Sequence, residues 1–316
     1  MVSSSLFSVL FELDKRVSTD TFSILSFQQL DTEFWPMLLW FSVGDVLKVF
    51  SISSHYMIPE LSELLKRSVE KSLEDRIAIS FSGGVDSTLI AAIAKKMAQT
   101  ELFCAGLESC PDIEYAQKAA QLLGLPLEQI TIKENEVLDI YGKCHSILPL
   151  DLLKVEILIP VWKVAEAAAK KNHSVLLFGA AAEELFVGYE KYYLFKEEGK
   201  DVEKILKEDF KNVKRNEIAW ITKICRKHGI EARFPFYNQE LADFMHAVPL
   251  EERMSERELK KPILREAAKL LGVPELVLKR RKHAMQYASG VHRIIMRNAD
   301  SLNEKFSQNF SALEIR

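Results

Sequence analysis

The stretch Ser82-Gly83-Gly84-Val85-Asp86-Ser87 sets two hydroxyl side chains, two glycines and a carboxylate in consecutive positions. An apolar run, Ile77–Phe81, precedes it, and the alanine-rich, apolar Leu89–Ala98 follows. That pattern predicts a strand, a tight turn and the N-terminus of a helix. Gly83 and Gly84 would let the backbone approach a ligand, and the first-turn amides and the helix dipole favour an anion such as phosphate. Ser82 and Ser87 can donate hydrogen bonds to it. Asp86 would repel a phosphate unless a divalent cation stood between them, so phosphate and metal are expected together.

The elements around this turn must hold it at one edge of a core. With 316 residues, 48% hydrophobic and 28% charged, the chain can bury a large one. Residues 1–57, rich in Phe, Val, Ser, Leu and Trp, read as a small β-rich N-terminal appendage, either structural or a subunit contact such as a homodimer would use. Residues 58–316 read as the main domain. There, a helix over Glu60–Leu73 after Pro59 leads into strands at Ile77–Phe81, Leu102–Leu107, Leu127–Ile132 and Val175–Phe178. Helices over Ser87–Met97, Asp112–Leu123 and Val161–Lys171 alternate with them. The alternation predicts an α/β fold, a Rossmann-like parallel sheet covered on both faces, with ligand at the carboxyl ends of the strands. Beyond Tyr189 the pattern is helical, with helices over Val202–Trp220, Gln239–Ala247 and Lys260–Leu271.

The net charge of −3 gives no global attraction to nucleic acid. The most apolar window, Phe34–Val43, is half the length of a membrane span and contains Pro36. Cys104, Cys110, Cys144 and Cys225 have no metal or redox spacing and read as reduced thiols in a cytoplasmic protein. The histidines, His292 among them, show no metal spacing and read as structural or exposed.

The loop lacks the Gly-Lys-Ser/Thr ending of a Walker A motif and the spacing of the dinucleotide fingerprint. It resembles the PP-loop of ATP pyrophosphatases, whose fold belongs to the HUP, or adenine nucleotide alpha hydrolase-like, group. Four further segments resemble the synthetase domain of the asparagine synthetase family in family order. The first is Ala105-Gly-Leu-Glu-Ser-Cys-Pro-Asp. The second, Phe178-Gly-Ala-Ala-Ala-Glu-Glu-Leu-Phe-Val-Gly-Tyr, is similar to the family's Ser-Gly-Glu-Gly-Ala-Asp-Glu-Leu-Phe-Gly-Gly-Tyr. The third is Glu231-Ala-Arg-Phe-Pro-Phe-Tyr-Asn. The last pairs Lys261-Pro-Ile-Leu-Arg with Arg280-Arg-Lys282-His283.

The resemblance implies ATP and Mg²⁺ as cofactors, a small carboxylate as substrate, and an acyl-adenylate captured by ammonia or an amine. It implies that Ser82, Gly83, Gly84, Val85 and Ser87 cradle the pyrophosphate, that Ala105 and Leu107 lie by the adenine, and that Gly179 lines the nucleotide site. Asp86 and Glu183 would hold Mg²⁺, and Lys282 would neutralise charge as pyrophosphate leaves. Three departures stand out. Ala180 replaces the family glutamate thought to help deprotonate the attacking amine. In the segment Asp151–Pro160, Lys154 stands where the family has Thr, and Glu156 stands where it has an Arg close to substrate. That exchange would favour a neutral or cationic substrate. Val2 replaces the nucleophilic cysteine of glutamine-using members, so ammonia, an amine or a separate glutaminase is expected to supply nitrogen. The alternatives are a nucleotide-binding regulatory or assembly protein without turnover and a PP-loop enzyme acting on RNA.

Overall fold

The structure, a computed structural model, describes residues 40–42, 47–49, 54–108, 110–281 and 289–306. The chain divides into two compact units, Met1–Tyr56 and Met57–Arg316. In the first, strands β1 (Trp40–Ser42) and β2 (Leu47–Val49) pair antiparallel, with Phe41 opposite Lys48. The remainder of the appendage expected over residues 1–57, up to residue 53, lies outside the described residues.

The second unit is built on five strands, β3 (Arg76–Ser80), β4 (Gln99–Gly106), β5 (Leu127–Thr131), β6 (Val175–Leu177) and β7 (Glu231–Arg233). They lie in the order β5-β4-β3-β6-β7, and every neighbouring pair is parallel. The α/β class and the parallel sheet follow from alternating apolar strands and crossover helices. Strand residues divide strictly by parity. Ile77, Ile79, Leu102, Cys104, Val175 and Leu177 pack into one apolar cluster with the helices Val85–Ala94 and Pro262–Leu270. Ala78, Phe103, Ala105 and Leu176 pack into another, with the helices Glu134–Ile147, Leu158–Lys170 and Glu217–Lys227. Successive side chains point to opposite faces of a strand, and both faces of the inner strands β3, β4 and β6 are largely buried, whereas the edge strands β5 and β7 are half-buried or exposed.

The chain winds outward from β3 through β4 to β5, then returns to add β6 and β7 on the other side of β3. The turn after β3 and the turn after β6 therefore meet at the topological switch point, where a parallel sheet opens a crevice at its carboxyl edge.

Several element limits differ from the sequence expectation. The helix expected from Pro59 begins at Ser54 and ends at Glu70, with Pro59 inside it. The segment Val202–Trp220 is two helices, Val202–Val213 and Glu217–Lys227, because Asn216 between them is non-helical at φ −102° and ψ −106°. Strand β7 and the helix Glu134–Ile147 were not anticipated. β7 is only three residues long and carries a charge at each end, which gives no apolar alternation to read. Among the described residues no helix is long and apolar enough to cross a membrane.

Candidate functional site

The turn after β3 is closed from within. The Ser82 amide donates to Ser87 Oγ at 3.3 Å, the Ser87 hydroxyl donates to the Gly84 carbonyl at 3.3 Å, and the Gly84 amide donates to Ser82 Oγ at 3.4 Å. Gly84 caps the helix Val85–Ala94 without a side-chain hydrogen bond, so the first-turn amides face the turn with no side chain spent on them. Gly83 has φ +65°, and a Cβ there would fall 2.8 Å from the backbone carbonyl of Tyr115. Only glycine suits both the left-handed backbone and that approach. The turn is thus pressed on the first helix after β4.

Arg280 clamps it in place. Its Nη1 donates to the Ser82 carbonyl at 2.7 Å, its Nη2 donates to Asp112 Oδ1 at 2.8 Å, and its guanidinium stacks 4.0 Å from the Tyr115 ring centroid. Both charged side chains are about 4% exposed. Arg265 holds the segment that presents Arg280, donating to the carbonyls of Lys260 at 2.7 Å, Leu278 at 2.7 Å and Arg280 at 3.1 Å.

Asp86, in the first helical turn, and Glu183, in the turn after β6, converge on the ammonium of Lys261. The Nζ donates to Asp86 Oδ1 at 2.8 Å and lies 3.0 Å from Glu183 Oε1. Burial lowers the Lys261 pKa, but the two carboxylates more than offset it, and the group ends above the ordinary lysine range. Gly188 is required here, since a Cβ would lie 1.6 Å from Glu183 Oε2 and 2.4 Å from Lys261 Cε. Gly179 lies against Asp86, where a Cβ would sit 3.1 Å from the Asp86 Cβ.

The backbone around this cluster is strained. Ala181 (φ 74°), Val187 (φ 54°), Lys260 (φ 49°) and Lys261 (φ 55°) all lie in the left-handed region, where a non-glycine residue costs roughly 1–2 kcal/mol. Ala181 and Val187 stand where the resembled motif has glycine. Next to Glu183, Glu184 is buried with Oε2 unpartnered among the described residues. Burial, then the nearby Glu217, push its pKa up to about 8, so its protonated form predominates at neutral pH.

Two carboxylates on one cation position suit a hard divalent ion that takes its other ligands from phosphates and water, which is how magnesium is held in nucleotide sites. Among the described residues no three His, Cys, Asp or Glu side chains gather for a metal. The described residues thus bring two carboxylates, Asp86 and Glu183, to one point that the Lys261 ammonium occupies.

Glu156 is the second buried charge of interest. Its carboxylate is fully buried, and both oxygens lie 3.0 Å from His292 Nδ1. The histidine read as structural is therefore the partner of the residue that inverts the expected charge. Ala105, Leu107 and Ala180 line the same apolar cluster as Val155 and Val291, the residues beside Glu156 and His292. The Leu107 amide donates to the Ser289 carbonyl at 2.8 Å, which pins the start of the helix Val291–Arg297 to the end of β4. Lys154 does not join this group. Half exposed, it pairs with Asp151, whose carboxylate caps the short helix Leu152–Glu156 by accepting from the Lys154 amide at 3.0 Å. Lys282 and His283 lie outside the described residues.

Burial raises the Glu156 carboxyl to about 7, although the His292 contact pulls the other way. A carboxyl that binds its proton more tightly in the folded chain contributes stability below its unfolded value near 4.5 and loses it as pH rises through 7. His292 and Tyr141 are its titratable neighbours. Relative to Glu156→Gln, the wild type is expected to lose on the order of 3 kcal/mol between pH 5 and pH 8, measured by urea denaturation at both. A difference independent of pH would refute the raised value.

Lys261, Arg265 and Arg280 belong to motifs that resemble the family's, yet none of the three is among the expected site residues. For Lys261 and Arg265 the available signal was a cationic residue at either end of the apolar Pro262-Ile263-Leu264, whereas Arg280, inside a basic run, carried no such signal. What the fold and site define is a parallel α/β domain whose glycine turn opens an uncapped helix N-terminus beside two carboxylates that share the Lys261 ammonium at the switch point. The sequence model of the family described as Asparagine synthase matches residues 60–220 and 194–314, and the chain belongs to that family.

A chain from Methanocaldococcus jannaschii named as a glutamine-hydrolyzing asparagine synthetase is 30% identical over 275 residues, covering 76% of this chain and 51% of that one. The asparagine synthetase B of Escherichia coli (strain K12) is 27% identical over 251 residues, covering 73% of this chain and 45% of that one. This chain thus spans about half the length of these relatives. The structure of NMN synthetase from Francisella tularensis aligns at a TM-score of 0.41 and 15% identity, over 82% of this chain and 98% of that one, a likeness that carries no further argument.

Proposed function

We propose that this domain is an ATP-dependent amidoligase that joins a small carboxylic acid to ammonia or an amine. The observation that carries the reading is the convergence of Asp86 and Glu183 on a single cation position beside the uncapped helix amides of Ser82–Ser87. A carboxylate oxygen of the substrate attacks the α-phosphorus, the bond to the bridging oxygen breaks, and pyrophosphate leaves. The amine nitrogen then attacks the acyl carbon, AMP leaves with the C–O electron pair, and the nitrogen gives up a proton. Positioning and charge neutralisation do most of this work, so no protein nucleophile is needed.

The chain's own parts divide the task. The first-turn amides and Gly83–Gly84 receive phosphate oxygens, Arg280 keeps the turn in shape, and Asp86 with Glu183 hold the cation. Magnesium, when bound, supplies divalent charge that offsets the phosphates. The apolar wall of Ala105 and Leu107 receives the base, and Lys282 belongs to the leaving pyrophosphate. Ala180 offers no carboxylate for the amine proton. Glu156 in its ionised form disfavours an acid whose far end is a second carboxylate, so a neutral or cationic end is expected.

Ala180 is also the observation that favours a second reading, nucleotide binding without turnover. Isotope exchange between pyrophosphate and ATP, run across a panel of small carboxylic acids, separates the two. Exchange that depends on one of the acids supports the ligase. ATP binding with no exchange for any acid sinks it and leaves the second reading.

A further inference from the structure

We infer that Lys261 is a resident counter-ion that makes divalent-cation binding at Asp86 and Glu183 conditional on a bound nucleotide phosphate. The inference rests on the ATP reading above and adds an order of events to it.

The geometry is that of a built position and not of a flexible surface lysine. The Lys261 side chain is 6% exposed, its ammonium is shared between Asp86 Oδ1 at 2.8 Å and Glu183 Oε1 at 3.0 Å, and its backbone is held at φ 55°. Arg265 ties down the turn through the carbonyls of Leu259 and Lys260. Gly188 leaves the space that the Glu183 carboxylate and the lysine methylenes fill. The ammonium thus occupies the point toward which both carboxylates turn.

A free divalent cation approaching that point meets an occupied position. To admit it, Lys261 must give up two charge-assisted hydrogen bonds in a buried setting and stay close to a doubly charged ion. Phosphate removes both penalties. Its oxygens accept from the displaced ammonium, whose three donors need acceptors, and they complete the ion's ligand set. Lys261 therefore couples the two ligands, and linkage requires each to tighten the other by the same factor.

The test is titration of the full chain with Mn²⁺, followed by the electron paramagnetic resonance signal of the free ion. It is done with and without the α,β-methylene analogue of ATP, correcting for the analogue's own Mn²⁺ affinity. For the wild type, the analogue is expected to tighten Mn²⁺ by about tenfold or more, and Mn²⁺ to tighten the analogue equally. Lys261→Met is expected to bind Mn²⁺ without nucleotide about tenfold more tightly than the wild type and to lose most of the coupling. Wild-type protein that binds Mn²⁺ equally well with and without the analogue overturns the inference, whatever becomes of the variant's folding. So does a folded Lys261→Met that binds the bare ion no better. Analogue binding with uncoupled Mn²⁺ leaves the ATP reading standing, whereas no analogue binding at any Mn²⁺ concentration removes both.

Discussion

Asp86→Asn is expected to lower acid-dependent pyrophosphate exchange by about 10²- to 10³-fold, the loss found when one preorganised charge-stabilising group is removed from a dry site. The substitution keeps the shape of the side chain and one acceptor oxygen but removes the charge. Asp86 sits in the first turn of the helix Val85–Ala94, beside the amides that would receive phosphate, and is 4% exposed. Its carboxylate shares the Lys261 ammonium with Glu183. Without it, a divalent ion keeps a single protein carboxylate. Lys261 retains Glu183, so the folding cost should be modest, on the order of 1–3 kcal/mol. Exchange measured at saturating metal, alongside urea denaturation, separates the two effects. Full activity in a folded variant would show that Asp86 holds no ion during turnover.

Arg280→Ala is expected to cost about 3–5 kcal/mol in unfolding free energy, because it removes the cationic half of a buried ion pair together with its charge-assisted hydrogen bonds. Asp112 is left in place, 3% exposed, having lost the Nη2 donor at 2.8 Å. The Ser82 carbonyl loses its 2.7 Å donor, and Tyr115 loses the stacked guanidinium. Even in molecules that remain folded, the turn around Gly83 is no longer held on Tyr115. Displacing a positioning element by about 1 Å costs on the order of 10²-fold in rate, and here it should appear mainly as a raised KM for ATP. Arg280→Lys distinguishes charge from geometry. A single ammonium cannot span the Ser82 carbonyl and Asp112 in the way that a planar fork does. Partial recovery of stability with the KM still raised is the expected pattern. Urea denaturation and ATP-dependence of exchange read it, and stability unchanged within 1 kcal/mol in Arg280→Ala would refute the clamp.

Much of this was written locally. The apolar run into Ser82, the paired glycines and the alanine-rich run after Ser87 specify strand, turn and helix through forces between near neighbours, and the structure places them within a few residues of expectation. The strands β4 and β6 were equally legible as apolar runs, and β5, although half polar, follows the turn signal of Gly124 and Pro126. β7 was not, since three residues with charged ends gain their strand identity from pairing with β6 and not from their own pattern.

The sequence by itself determined the class of fold, the position of the glycine turn after β3 and the family, all of which rest on local pattern and motif order. Tertiary structure alone decided which charges meet. Lys261 reaches Asp86 across 175 positions, Arg280 reaches Asp112 across 168, and His292 reaches Glu156 across 136. No periodicity encodes such pairings. They exist because the strand order brings the turns after β3 and β6 together and because the C-terminal segments fold back over those ends. There, a buried charge must find a partner or give up its ionisation. In the sequence Glu156 was only an inverted charge, and the fold made it half of a buried pair. Lys261 was only one letter of a motif, and the fold set it where a metal ion was expected.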